Sequence, residues 1–309
     1  MKLCTQTHRL AETFGPEECI RMLKRVGYDA IDWSFFEMTK GEGPWLRDGW
    51  EEYAHKLRAL ADAEGIEILQ AHAPYPSSRR EDASTPGIKK DSNGICLVEN
   101  QRFGESIKKR IIRSMEVASI LGVKHIVVHP KQHLPYRGHE EELFEMNMEF
   151  YRSLIPECER LNLKICVENM WQRDEKRGYL VDSTCSHIEE FCRYIDTLYS
   201  PWITGCLDLG HCALVGTEPQ DFIRGLGHDR IGALHVHDVN YIRDCHTMPY
   251  MESLNWAEIT KALADIDYQG LFTFEADNFL LPLPDEVKED GARLMVSVGR
   301  HLISMIEKH

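Results

Sequence analysis

The sequence predicts an α/β fold, a single-domain (β/α)8 barrel, and three observations carry that expectation. A short apolar run ending in a polar residue recurs eight times, at KLCTQT (2–7), AIDWS (30–34), IEILQAH (66–72), HIVVHP (125–130), KICVEN (164–169), ITGCLDL (203–209), GALHVHD (232–238) and LFTFEA (271–276). Amphipathic stretches with helix start and stop signals separate these runs. The chain has 309 residues, a normal length for a closed barrel of eight strand–helix units.

Each element has its own justification. Strands that alternate with helices must pair in parallel through right-handed crossovers. The strand cores are nearly all apolar, as expected when both faces are covered, and eight such units in this length fit a closed barrel better than an open doubly wound sheet. Pro16 in GPEECIRML suits a first helical turn. Asn255 with Glu258 three residues on, in NWAEITKAL, has the form of a capping box. Helices are expected to end before Gly27, Gly65, Gly122 and Gly227, the usual C-terminal stop. No linker or change of composition divides residues 1–309, so one domain is expected. The one long irregular stretch, 74–101, is a loop insertion after the third strand and a candidate lid.

Bulk properties exclude several classes. At 43% hydrophobic and 28% charged residues the chain is globular, and its apolar runs are too short to span a bilayer. MKLCTQTHRL has no secretion-signal pattern, which makes the cytoplasm the expected compartment, and the ten scattered cysteines then read as reduced thiols. A net charge of −14 argues against a broad nucleic-acid footprint, and no basic segment with interleaved aromatics stands beyond the Arg79–Lys90 loop.

Polar residues at the C-terminal ends of barrel strands face the active site. Here those ends are His72, His129, Glu168, Asp208, His235 and Glu275, on six consecutive strands. A lone strand-end histidine is usually structural. Six titratable groups around one cavity would repel one another and pay desolvation unless a cation offset them. The mixed oxygen and nitrogen set suits Mn²⁺, Zn²⁺, Co²⁺ or Mg²⁺, with no organic cofactor.

The segments QAHAPY (70–75), IVVHP (126–130), CVEN (166–169), LDLGH (207–211), LHVHD (234–238), DCH (244–246) and FEAD (274–277) resemble, in order, those of the xylose isomerase-like TIM barrel superfamily. That group holds sugar phosphate isomerases and epimerases and includes endonuclease IV. The resemblance implies that Glu168, Asp208, His235 and Glu275 hold one divalent metal and that Glu168 and Glu275 are also the catalytic acid/base pair. It implies that His211 contacts a substrate oxygen. The expected activity is a metal-dependent sugar or sugar phosphate isomerase or epimerase, with proton transfer beside a polarised carbonyl. Further substrate contacts are expected from Trp33 and Trp171 as stacking rings and from Arg243 as an anion partner. His237 is expected as an outer residue, and Cys206, Cys212 and Cys245 as small packing residues. A small-molecule sugar is the expected partner. Neither nucleic acid nor a membrane is expected, and the resemblance admits a homo-oligomer.

Two alternatives share this scaffold. One is a multi-zinc phosphodiesterase resembling endonuclease IV, for which His72, His129, His211, Asp244 and His246 would complete the ligands. The other is a lyase resembling inosose dehydratase, which differs only in the fate of the enolate. The stretch DCHTMPYMESLNW (244–256) departs from both branches, having Asn255 where Asp is usual and no glycine.

Overall fold

A computed structural model of the chain describes residues 1–41, 43–75, 101–132, 134–174 and 176–309. Eight parallel strands form the sheet: β1 (Leu3–Gln6), β2 (Ala30–Ser34), β3 (Glu67–His72), β4 (His125–Val128), β5 (Lys164–Glu168), β8 (Ile203–Asp208), β9 (Ile231–His235) and β10 (Phe272–Phe274). They run in the order β10-β1-β2-β3-β4-β5-β8-β9. The barrel closes between the outer two through a bridge of Val236 with Phe274, where the Val236 N–H donates to Thr273 O (2.9 Å) and the Glu275 N–H to Val236 O (3.1 Å). This seam is much shorter than the β8–β9 ladder beside it, which pairs Gly205 through Asp208 with Ile231 through His235. Every expected strand is present within two residues at its start and three at its end. Between β5 and β8 stands an antiparallel hairpin that no sequence signal announced, β6 (Trp171–Arg173) with β7 (Leu180–Asp182).

Helix signals act as read. Helix α2 (Pro16–Val26) follows the short α1 (His8–Phe14) and starts on its proline, ending at Gly27 in the left-handed region. Helix α3 (Trp50–Glu64) stops at left-handed Gly65, and α4 (Gln101–Leu121) stops before positive-φ Gly122. After α5 (Glu140–Arg152), α6 (Ile155–Leu161), α7 (Ile188–Leu198), α8 (Leu209–Leu214) and α9 (Pro219–Leu226), the Asn255 side chain caps α10 (Trp256–Asp265) by accepting the Glu258 N–H. The last helix, α11 (Lys288–Ile306), packs against α2 and α10. Most of the 74–101 insertion, with Arg79–Lys90, lies outside the described residues. No helix among the described residues is long and apolar enough to cross a membrane.

Two register shifts decide which side chains meet at the barrel mouth. Ile31 pairs with Ile68 but Asp32 pairs with Gln70, so Leu69 bulges from β3. Gly205 pairs with Ile231 but Cys206 pairs with Ala233, so Gly232 bulges from β9. A bulge re-aims the side chains beyond it. Here the two bulges bring Asp32 level with Gln70 and Asp208 level with His235. Only glycine fits the second, since a Cβ at Gly232 would lie 2.3 Å from Thr204 Cγ2.

Candidate metal centre

Alternation along each strand sends one set of side chains into the helix layer and the other into the barrel. Val127, Cys166, Cys206 and Ala233 form a small buried cluster inside it. Two residues further along the same strands stand His129, Glu168, Asp208 and His235. Small side chains below and titratable ones above therefore follow from a period of two, and Cys206 is the packing residue expected. Cys212 is buried likewise, whereas Cys245 is half-buried in a loop.

The four expected ligands converge. One donor atom from each of Glu168, Asp208, His235 and Glu275 lies within 4.8 Å of the other three, and all four residues are buried. His235 Nδ1 is 2.9 Å from Glu168 Oε1, 3.1 Å from Glu275 Oε2 and 4.0 Å from Asp208 Oδ2. Around this quartet stand the other expected residues, His72 and His129 with Glu168 on one flank and His211, Asp244 and His246 with His237 on the other.

Backbone carbonyls orient three of the imidazoles. His72 Nδ1 pairs with Ala73 O (2.8 Å), His211 Nδ1 with Asn169 O (2.8 Å) and His246 Nδ1 with Glu275 O (2.9 Å). Each ring then donates from Nδ1 and presents Nε2 to the cavity, the arrangement that metal-ligating and substrate-binding histidines share. Glu168 Oε2 lies 2.9 Å from His129 Nε2 and 3.5 Å from His72 Nε2, yet no donor is aligned on it as a hydrogen bond. Such an oxygen, buried and unsatisfied, is costly unless something else takes its lone pair.

The electrostatics agree. Burial alone would raise the Glu168 and Glu275 carboxyls, but His235, joined by His129 at the first and His246 at the second, holds both well below the usual range. Burial alone would lower the histidines, yet Asp208 and Asp244 push His211 up to about 10. Cys206, Glu275 and Glu168 push His235 well up, and Asp244 and Glu275 do the same to His246. His129 goes the other way, lowered by burial. Without a cation, protons on the histidines neutralise the carboxylates. With one, those protons are displaced.

Sequence reasoning placed His237 outside, and its structural role is larger. Its Nε2 donates to Asp208 at 2.9 Å (Oδ1) and 3.0 Å (Oδ2), and its ring stacks on His246 with centroids 4.1 Å apart. Asp208 Oδ1 also accepts the His211 N–H (2.7 Å), capping α8. Asn169 clamps the Asp208 backbone from both sides, accepting its N–H (2.7 Å) and donating to its carbonyl (2.9 Å). The glycine of LDLGH has its reason here. A Cβ on Gly210 would lie 2.1 Å from His237 Cε1, so the imidazole fits only over glycine. Gly210→Ala is expected to dislodge that ring at a cost of about 1–3 kcal/mol, read as a lower midpoint in urea unfolding. An unchanged midpoint and an unchanged metal affinity would refute the role given to His237.

The loop after β9 reaches the site without glycine. Asp238 accepts the Leu254 N–H (3.0 Å), the Glu252 N–H (3.1 Å) and Trp256 Nε1–H (3.1 Å), knotting the segment onto the strand end. Tyr241, His246 and Tyr250 take positive φ (63°, 43° and 72°) where glycine would be cheaper, a local strain that the Asp238 knot sustains. Trp171 on the hairpin donates Nε1–H to Asp244 Oδ2 (3.2 Å), and its ring stands edge-on to His211.

Two candidate substrate contacts lie apart from the buried titratable groups. Trp33 alternates with the inward Asp32, so it points into the helix layer, buried edge-on against Trp45 at 6.0 Å. It is core, not a sugar platform. Arg243 is exposed on the rim loop, where its N–H donates to Asn240, and is not among the buried groups. The wall opposite Trp171 joins the expected His72 and His129 to three residues that sequence reasoning did not single out. His8, Phe36, Tyr75 and His129 form a run of ring contacts at 4.9, 5.3 and 5.1 Å, with His72 against Phe36 at 4.7 Å. His8 opens α1 and Phe36 follows β2 with no motif to flag them, and Tyr75 closes QAHAPY with no role assigned to it. Asp32 was missed as well, since nothing in AIDWS separates an inward aspartate from a loop one.

The quartet fits a divalent cation by donor chemistry, three carboxylates and an imidazole, and by the unsatisfied Glu168 Oε2. The profile of the xylose isomerase-like TIM barrel family matches residues 20–296. The chain belongs to that family. A D-psicose 3-epimerase of Enterocloster bolteae is 38% identical over 98 residues, 32% of this chain and 29% of that protein. The crystal structure of a D-tagatose 3-epimerase-like protein superimposes with a TM-score of 0.70 at 20% identity, covering 100% of this chain and 99% of the other. IolI, solved with a bound zinc atom, gives 0.66 at 16% identity over 100% and 99%. At such identities the superpositions speak for the fold.

Proposed function

We propose that this chain is a metal-dependent sugar epimerase or isomerase in which Glu168 and Glu275 exchange a substrate proton. One observation carries the reading: two buried carboxylates from β5 and from the end of β10, on different sides of the barrel, meet at one imidazole, His235 Nδ1, at 2.9 and 3.1 Å. Glu168, Asp208, His235 and Glu275 would hold the ion, which when bound acidifies the C–H beside a sugar carbonyl. One carboxylate takes that proton, and the other, in its acid form and protonated from solvent, delivers one to the opposite face, giving an epimer; delivery to the former carbonyl carbon, with the hydroxyl proton passing between the two oxygens, gives an isomer. His129 Nε2, 2.9 Å from Glu168 Oε2, is placed to relay that proton. His211 Nε2 and Trp171 face the site from the second flank and orient hydroxyls and ring. The named relatives make ketohexoses the first substrates to try.

The test is turnover in D₂O. Protein with its metal content measured is given D-psicose, D-tagatose and a panel of phosphorylated and unphosphorylated ketoses, and deuterium is followed by NMR. Deuterium in a product epimer or isomer is expected. A metal-loaded protein that exchanges no C–H across the panel would sink the reading, and loss of water from a product would redirect it to a lyase.

One observation favours a second reading, a three-ion phosphodiesterase. His72, His211 and His246 all spend Nδ1 on carbonyls and turn Nε2 inward, as further ligands would. Three metals per chain with cleavage of DNA at an abasic site would establish it, and one metal without cleavage would dismiss it.

A further inference from the structure

His235 has two nitrogens in different surroundings. Nδ1 faces Glu168 and Glu275, while Nε2 is buried without a hydrogen-bond partner. The carboxylate on that side is Asp32, fully buried, with Oδ2 3.6 Å from Nε2 and Oδ1 itself unpartnered. Each orphan is what the other lacks. We propose that Asp32 is the positioning residue for the metal centre, accepting the Nε2–H of His235 and so committing Nδ1 as the ligating nitrogen.

The placement of Asp32 is built, not incidental. The Leu69 bulge sets it beside Gln70, whose Nε2–H donates to Asp32 Oδ2 at 2.9 Å. Gln70 Oε1 in turn accepts the Thr273 hydroxyl at 3.2 Å, which fixes the amide's orientation, because an oxygen turned to Asp32 would face a carboxylate. A chain of contacts thus runs Thr273, Gln70, Asp32, His235 across the barrel. His235 is the only ionisable partner within ion-pair distance of Asp32 among the described residues. A buried carboxylate without a charge partner is expensive, so one kept here must be offset by the imidazole. Cys206 is the competing neighbour of the ring, but a thiol is a weak acceptor beside a carboxylate. Carbonyls hold His72, His211 and His246; a carboxylate holds His235. An N–H given to a carboxylate makes the opposite nitrogen a stronger ligand, and removing such a partner typically weakens metal binding about 10–100-fold.

The inference rests on the metal centre of the proposed function, and the experiment separates the two. Zinc-loaded protein labelled with ¹⁵N in its histidines is studied by long-range ¹H–¹⁵N correlation, with His235→Gln identifying the signal. His235 is expected to bind zinc through Nδ1 and to carry a slowly exchanging proton on Nε2. In parallel, the zinc affinity of Asp32→Asn is measured by competition with a chromophoric chelator, alongside unfolding of the metal-free protein. A Kd weaker by about 10–100-fold with a nearly unchanged metal-free midpoint is expected, a split that a merely structural role would not give. Zinc on Nε2, or an unchanged Kd in a folded Asp32→Asn, overturns the inference while leaving the centre standing. If the variant does not fold, the wild-type spectrum decides alone. Wild-type protein that binds no zinc refutes the centre instead.

Discussion

Glu275→Gln is expected to reduce solvent proton exchange into the sugar by about 10²–10⁴-fold while the barrel remains folded. The substitution keeps shape and volume at a side chain only 6% exposed, and the amide oxygen can still face His235 Nδ1 at the position Oε2 now holds, 3.1 Å away. What is lost is the basic oxygen at one of the two sides from which a proton can leave or arrive. Glu168→Gln should do the same from the other side. For formation of the epimer or isomer a double variant should be little worse than either single one, because one missing carboxylate already breaks the two-sided transfer. Both residues also belong to the ion's donor set, so the measurement is made at saturating metal with metal content determined. Exchange that persists near the wild-type rate in metal-loaded Glu275→Gln would show that the proposed proton shuttle is wrong.

Stabilisation by metal is expected to grow as pH rises from about 5.5 to 8.5. His211, held up at about 10 against an ordinary 6.5, and the raised His235 and His246 contribute stability to the metal-free protein that is fully present below 6.5. That contribution is lost as pH climbs through their folded values. Glu168 and Glu275 are depressed, so their contribution is present above 4.5 and is lost only in acid. These groups therefore make the metal-free protein most stable between about 4.5 and 6.5 and progressively weaker in base. A cation replaces the same protons, so it binds better where they leave more easily. At 100 times its Kd it adds about 2.7 kcal/mol. Melting midpoints with Mn²⁺ or with a chelator, taken across this range, should diverge toward high pH. A constant or shrinking gap would mean that ion and protons do not compete for these residues.

Much of the fold was legible because most barrel strands are buried on both faces and so read as short, largely apolar runs. The quartet was legible for a related reason: a titratable residue closing such a run has nowhere to point but the mouth. Trp33 went wrong because that logic does not reveal parity. The bulge at Leu69 decides which residue of β3 meets β2 here, setting Gln70 beside the inward Asp32, while Trp33 alternates outward. His237 misled in the opposite sense. Two residues beyond His235 it shares that residue's parity, so a period of two continued past the end of β9 carries it inward, against the outer placement expected of it, and there it meets Asp208. The hairpin Trp171–Asp182 is short, half-exposed and mixed in composition, so no periodicity marked it.

The barrel's shortest joint runs between β9 and β10, where Val236 and Phe274 form a single bridge. His235 stands at one lip of that joint and Glu275 at the other, each one residue from the bridge. Under the proposed chemistry an ion gripped by both would lie across the joint like a clasp. Loading the cofactor would then brace the cylinder where its own backbone holds it least, so that metal affinity and resistance to opening at this joint would rise together.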